Sequence, residues 1–289
     1  MTIIFGLLSA FSYGYADFVG ALAAKRVRAI SVTTISFIFG LLIATALSFV
    51  VGANFSQAAI TSGIYAGIAS GIAISCLYAA LALGPISIVS PLTAVISAII
   101  PVIFDLATGA QLGPFALVAI GLVLVAVVLV AFVPGQDFRL PSLRALIYSV
   151  GAGLGFAGIF VFLDGAPSDS GLATLIVMRI VGVALMLVGL AYAFFRYRPK
   201  QFLETEIFGR SLIWLVLLAG SGDVLGNVFF LVATRAGELA IAAVLTSLYP
   251  VGTILLARIV LKERIAKSQS LGIVLAIGAC VLIAIGKPA

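Results

Sequence analysis

No charged residue occurs between Arg28 and Asp105, and that run holds only Asn54 and Gln57 as strongly polar side chains. A water-soluble domain cannot be built from such a segment, because its packed layers need a charged outer face. The whole chain shares the bias. It is 63% hydrophobic and 9% charged, with mean hydropathy +1.33, where a soluble domain is about half apolar and about a quarter charged. The sequence therefore belongs in a lipid bilayer.

A membrane-crossing helix needs about 20 apolar residues. Cutting the chain at Gly, Pro and charge clusters leaves ten spans, at 2–24, 30–52, 60–83, 86–108, 113–133, 143–163, 170–196, 210–234, 238–261 and 268–286. Their apolar runs are continuous, not alternating, which favours helices over a membrane barrel. The connecting loops are short. The first span superficially resembles a secretion signal with an Ala21-Leu22-Ala23 cleavage site. No positive residue precedes it and its apolar run is too long, so it reads as a retained helix.

Other features exclude whole classes of function. The chain has no histidine, which removes His-based triads, zinc-protease helices and His proton relays. Cys76 and Cys280 both fall inside predicted helices and read as small packing residues. No cofactor is implied. The net charge of +6 resides on loop Lys and Arg beside lipid headgroups, so it does not indicate nucleic-acid binding. The partners expected are the bilayer and a small molecule, with the protein a monomer or weak homodimer.

The chain is also an internal duplication. A shift of 152 sets Tyr78 on Phe230, Ala82 on Thr234 and Val95 on Ser247, and one deletion then sets Gly121 on Gly272. Gly14 pairs with Gly155. The halves are 1–136 and 137–289, each with five spans. Five is odd, so the second copy enters the membrane upside down. The expected fold is an all-α membrane protein of ten transmembrane helices, arranged as two inverted five-helix repeats around a central cavity. Such inverted repeats are common in secondary transporters, with the substrate near the midplane.

Gly153-Leu-Gly155-Phe-Ala-Gly158 matches the G-x-G-x-x-G dinucleotide fingerprint. That fingerprint requires a strand before it and a soluble βαβ unit around it. Here both flanks are membrane helix, so the glycines are expected to let helices approach closely. Gly63, Gly67 and Gly71, and Gly222 with Gly226, invite the same reading.

Several segments carry a family resemblance: Tyr78 to Leu83 with Gly84-Pro85, Ser90-Pro91-Leu92, and Leu248-Tyr249-Pro250-Val251. The tail Leu261-Lys262-Glu263-Arg264, with Gln269, Gly272 and Gly278, completes it. Together they resemble the drug/metabolite transporter superfamily in its ten-helix EamA-type branch. In the first half Gln111-Leu112 stands where that family shows a Glu-Arg pair, which favours loop capping as the pair's role. The resemblance implies export of small metabolites, amino acids including aromatic ones foremost, across a bacterial inner membrane. It also implies a cavity lined by helices 1, 3, 4, 6, 8 and 9, with 5 and 10 peripheral.

Polar side chains fall on single helical faces in several of those spans. Ser9, Tyr13 and Asp17 recur in the first, Ser87, Ser90, Ala94 and Ser97 in the fourth, and Asp223, Asn227 and Thr234 in the eighth. The repeat partners of the last set are Gly71, Ser75 and Ala82, with Tyr78 beside them. Serine and threonine in membrane helices commonly satisfy backbone carbonyls, and that reading stands beside the cavity one. Charges are sharper. Asp17, Arg179 and Asp223 lie well inside spans, where a charge costs about 2.5–3.5 kcal/mol on insertion scales and so faces a cavity or a partner. Arg179 could pair with either aspartate or meet a substrate carboxylate. Asp105 and Glu238 lie near helix ends and suggest caps or interface positions. Among the aromatics, Tyr13, Tyr78 and Tyr249 are candidates for contacting substrate, and Trp214 for an interface anchor.

The candidate substrate-binding set is therefore Tyr13, Ser75, Tyr78, Arg179, Asp223, Asn227 and Tyr249, with Asp17 the candidate for proton coupling. A secondary exporter using alternating access accounts for all of them. A passive facilitator or channel for small polar metabolites is the alternative, needing no titratable group. An intramembrane enzyme needs a nucleophile with its base, and no convincing pair is present. A scaffold needs no polar faces inside the bilayer. Loop charge adds an orientation. Arg235 and Lys287 fall on the side of the termini, Arg179 lies in the membrane, and every other Lys and Arg falls on the opposite side. The positive-inside rule then places both termini outside, whereas the resemblance points to cytoplasmic termini.

Overall fold

The computed structural model describes residues 1–83, 86–131, 141–196, 209–262 and 265–285. Long apolar runs without strand alternation give helices, as the bilayer requires of any backbone that crosses it. In chain order they are α1 (Thr2–Ala24), α2 (Ala29–Val51), α3 (Gln57–Leu83), α4 (Ile86–Ala107), α5 (Pro114–Ala131), α6 (Leu143–Asp164), α7 (Ala173–Arg196), α8 (Arg210–Arg235), α9 (Leu239–Thr246), α10 (Tyr249–Val260) and α11 (Lys267–Ile285). A single 3-10 turn, Ser168–Ser170, precedes α7. Eight segments are long and apolar enough to cross a membrane, with α9 and α10 counted as one, and α4 and α5 supply two shorter apolar stretches. Among the described residues the only β pairing is an isolated bridge between Ala53 and Gly171.

Local chemistry sets the helix ends. Ser56 Oγ accepts from the Ala59 amide before α3, and Ser142 Oγ from the Ala145 amide at α6, each satisfying a donor that a helix start leaves open. The third span starts at Gln57, three residues before the expected 60, because the Ser56 cap sits there.

One expected helix is two. The 238–261 span breaks at Ser247–Leu248 into α9 and α10. Pro250 has no amide to give the Thr246 carbonyl, and its ring would clash with that carbonyl in a continuous helix. The chain turns instead, and Pro250 falls in the first turn of α10, where proline is tolerated.

Packing depends on glycine. A Cβ at Gly155 would lie 2.6 Å from the Ala73 amide nitrogen, and one at Gly153 would lie 2.6 Å from Ile96 Cβ. The G-x-G-x-x-G segment is thus the contact of α6 with α3 and α4, as a helix-packing motif should be. Gly63, Gly67 and Gly71 abut Val177, Val181 and Leu185 of α7, and Gly222 and Gly226 abut α1. Helix neighbours follow from these contacts. α3 packs on α6 and α7, α8 on α1 and α2, α2 on α7, and α5 on α11. The outer surface is apolar, with Phe49, Val188, Tyr192, Phe195 and Trp214 all exposed on it.

Candidate functional site

α1 lies between α8 and the α9–α10 pair, and its sequence fixes which side chains meet each neighbour. Ser9 Oγ donates to the Gly226 carbonyl at 2.8 Å, and the Tyr13 ring lies on Gly226. On the other flank, a Cβ at Gly14 would meet the Tyr249 carbonyl, and Thr253 Oγ1 donates to the Gly14 carbonyl at 3.1 Å. Ile4, Leu8 and Phe11 form the exposed outer face. At ~100° per residue, Asp17 falls between Tyr13 and Gly14 on the helical wheel, on the flank opposite that outer face. Its side chain is exposed. Asp17 therefore opens onto an interior space between α8 and α10, away from lipid.

Asp223 stands across this space on α8. The Arg179 guanidinium of α7 donates from Nη1 to its Oδ2 at 2.5 Å. Arg179 is 2% exposed and its partner 28%, so the interior sees the carboxylate and the guanidinium lies behind it. The guanidinium sits 5.0 Å from the Phe37 ring centroid, a cation–π arrangement on α2. Gly40 lies beside it, where a Cβ would meet Arg179 Cζ at 3.7 Å, and Gly220 lets α8 approach the Ser36 backbone of α2. Asn227, one turn on from Asp223, donates from Nδ2 to the Asp223 carbonyl at 2.8 Å. Within this cluster, Arg179 Nε, Arg179 Nη2 and Asn227 Oδ1 are buried without a hydrogen-bond partner. Asp17 is within electrostatic range of Asp223, and Tyr13 within range of Asp223, Arg179 and Asp17. Arg179 pairs with Asp223 alone, so the cluster carries an excess negative charge when both carboxylates are ionised.

The structure brings together Tyr13, Asp17, Arg179, Asp223 and Asn227. Ser75 is exposed on α3, one turn beyond the Gly71 that faces Leu185, and no hydrogen bond joins it to the cluster. Tyr249 opens α10 and packs with the apolar cluster around α4, α5 and α9, on the other flank of α1. The Tyr78, Ala82, Ser87 and Ser90 side chains lie outside the described residues, as do Gly84-Pro85 and Glu263-Arg264.

Among the described stripe residues away from the cluster, Ser97 and Thr234 follow the local reading. Ser97 Oγ donates to the Ala94 carbonyl and Thr234 Oγ1 to the Leu231 carbonyl. Asp105 is a cap, though not of its own helix: its Oδ2 accepts from the Ala240 amide at 2.8 Å, at the start of α9. Phe37 and Gly40 went unnoticed in the sequence, because an apolar residue and a glycine on a membrane helix carry no local mark of a guanidinium neighbour. No group of His, Cys, Asp and Glu suited to a metal is present among the described residues.

The EamA-like transporter family model matches residues 1–132 and 143–285, which is nearly the entire chain. The chain belongs to the EamA-like transporter family. It is a multi-pass membrane protein, and its ten-helix arrangement is consistent with the EamA fold. A solved structure described only as "Crystal structure of protein" superposes with a TM-score of 0.77 at 14% identity, over 98% of this chain and 96% of that one. At that identity the likeness shows the fold alone. Comparison with curated proteins returned no match. Membership makes this EamA-family protein a membrane transporter of small molecules.

Proposed function

We propose that the protein is a secondary-active transporter that exports small metabolites, amino acids foremost, across a bacterial inner membrane by alternating access. One observation carries the reading: Asp17 and Asp223 face a common interior space while Arg179, buried behind Asp223, neutralises only one of them. A carboxylate left without a counter-charge in a membrane interior calls for a mobile cation, either a proton or the ammonium of a substrate. Competition between the two at one site is a direct way to couple a gradient to export.

In this reading Asp223 and Asn227 Oδ1 accept from the substrate ammonium, and Tyr13 offers its ring and hydroxyl. Tyr78, Tyr249 and Ser75 would shape the remainder of the cavity. Arg179 acts through Asp223, holding the carboxylate in place. Asp17 is the proton-coupling group. Two further features support transport. The helix pairings interchange under a relation of α1 with α6, α2 with α7 and α3 with α8, as two inverted repeats at 1–136 and 137–289 would require. The break between α9 and α10 resembles the discontinuous helices that transporters place at their sites. Loop charge favours termini on the outer side of the membrane.

The test is uptake of a labelled amino-acid panel into proteoliposomes with and without a pH gradient. Gradient-driven uptake of at least one amino acid supports the proposal. Uptake indifferent to the gradient assigns a passive facilitator, and no uptake across the panel removes amino acids as the substrate class.

A further inference from the structure

One stripe of α1 changes from buried to exposed along its length. Thr2, Gly6, Ala10, Tyr13, Asp17, Ala21 and Ala24 recur at spacings of three and four, so they lie along one flank, the flank that holds Asp17. Thr2, Gly6 and Ala10 are buried, Tyr13 is intermediate, and Asp17, Ala21 and Ala24 are exposed. The α9–α10 pair repeats the gradient. Every residue of α9 is buried, whereas only Pro250 and Gly252 are buried in α10. α9 begins at the end of the molecule that holds the N-terminus, and α10 runs toward the end that holds Lys25. Among the described residues, this flank is covered at the first end and exposed at the second.

The sealed end is stitched by polar contacts between loops that are far apart in the chain. Arg235, the last residue of α8, donates from Nη2 to Ser170 Oγ at 2.9 Å, to the Gly171 carbonyl at 3.0 Å and to the Pro167 carbonyl at 3.4 Å. That α6–α7 loop is in turn bound to the α2–α3 loop. The Asn54 amide donates to the Ser170 carbonyl at 3.0 Å and the Leu172 amide to the Gly52 carbonyl at 2.9 Å, while Asn54 Nδ2 reaches Asp169 Oδ2 at 3.3 Å. Asp105 joins the end of α4 to the start of α9. Arg235 itself is exposed, so water can compete for its bonds, and each is individually weak.

We propose that this end is a reversible gate, with Arg235 as the residue that holds its three loops together, and that export requires these contacts to open. The gate rests on the alternating-access reading for its purpose, but its existence can be read without any transport measurement. Arg235 ties the end of α8 to the α6–α7 loop, and that loop already pairs with the α2–α3 loop. Releasing Arg235 removes the polar tie between the end of α8 and that paired unit, leaving apolar packing alone to cover the buried part of the α1 flank.

The experiment uses the full chain in proteoliposomes, with Cys76 and Cys280 replaced by alanine and one reporter, Ala10→Cys, on the sealed part of the flank. A membrane-impermeant maleimide is applied from each side in turn. In the parent, Ala10→Cys should label slowly from the terminus side. Adding Arg235→Ala should raise that rate about tenfold or more, and Arg235→Lys, which keeps a charge but not the fork of donors, should raise it less. Ala24→Cys, on the open part, should label rapidly from the opposite side in all backgrounds. Rapid labelling of Ala10→Cys from the terminus side in the parent would overturn the gate. So would an unchanged rate in monodisperse Arg235→Ala. A raised rate in a protein that moves no amino acid would keep the gate and remove only the substrate proposal.

Discussion

Arg179 Nη1 and Asp223 Oδ2 meet at 2.5 Å between α7 and α8, with the guanidinium buried and the carboxylate partly exposed. Removing one partner of such a pair leaves a buried charge uncompensated, a loss on the order of 3 kcal/mol or more. Asp223→Asn should therefore lower the melting temperature and the yield of folded protein. The double variant Arg179→Met with Asp223→Asn should recover most of the loss, because no lone charge remains. Melting curves of the three proteins check this, and a double variant no better than the single would mean that the pair is not the cause.

Asn227→Ala separates binding from folding at the same place. Asn227 Oδ1 has no partner within the protein and Nδ2 bonds only the Asp223 carbonyl of its own helix, so truncation should cost about 1 kcal/mol of stability. If it accepts a bond from a substrate ammonium, affinity should fall by about tenfold or more, the equivalent of about 1.5–3 kcal/mol for a charge-assisted bond. Binding of the transported amino acid to purified, monodisperse protein gives the answer. Normal affinity would take Asn227 out of the site.

Asp17→Asn keeps the shape of the side chain and removes its charge. The expected result is a transporter that no longer responds to a pH gradient while still binding substrate in part. Gradient-driven uptake equal to that of the parent would give Asp17 a structural role only.

Asp105 caps α9 from 135 positions away in the chain. Asp105→Ala should cost about 1 kcal/mol, and Asp105→Asn much less, since asparagine caps a helix start about as well. Hydrogen exchange at the amides following Glu238 is the sensitive measure. Faster exchange in the alanine variant alone is the expected pattern.

Two glycines predict opposite outcomes for one substitution. A Cβ at Gly155 would meet the Ala73 backbone, whereas nothing lies within 4 Å of one at Gly278. Gly155→Ala should destabilise by about 1–3 kcal/mol through overpacking. Gly278→Ala should be neutral or slightly stabilising, because alanine is the better helix former. Orientation has its own test. With the termini outside, a C-terminal reporter active only in the cytoplasm should stay dark, and a bright one would reverse the assignment.

The membrane class and the helix positions were legible in the sequence because both depend on local composition. Hydrophobic runs must become helices wherever water is absent, and a glycine that packs a helix differs visibly from one that binds phosphate once its flanks are known to be membrane. The candidates Asp17, Arg179 and Asp223 were equally visible, since a charge inside an apolar span stands out against its neighbours. What remained hidden were relations between distant residues. Arg179 had two aspartates to choose from, and only the packing of α2, α7 and α8 decided for Asp223, by giving the guanidinium a ring at Phe37 and room at Gly40. Asp105 could be recognised as a cap but not as the cap of α9. Pro250 lay inside a single expected span at 238–261, and the fold breaks that span at Ser247–Leu248. Arg235 looked like an ordinary loop charge until the α6–α7 loop closed on it. Sequence pattern extends over a few helical turns, whereas these partnerships are set by which helices touch, and that is decided only when the entire chain is packed.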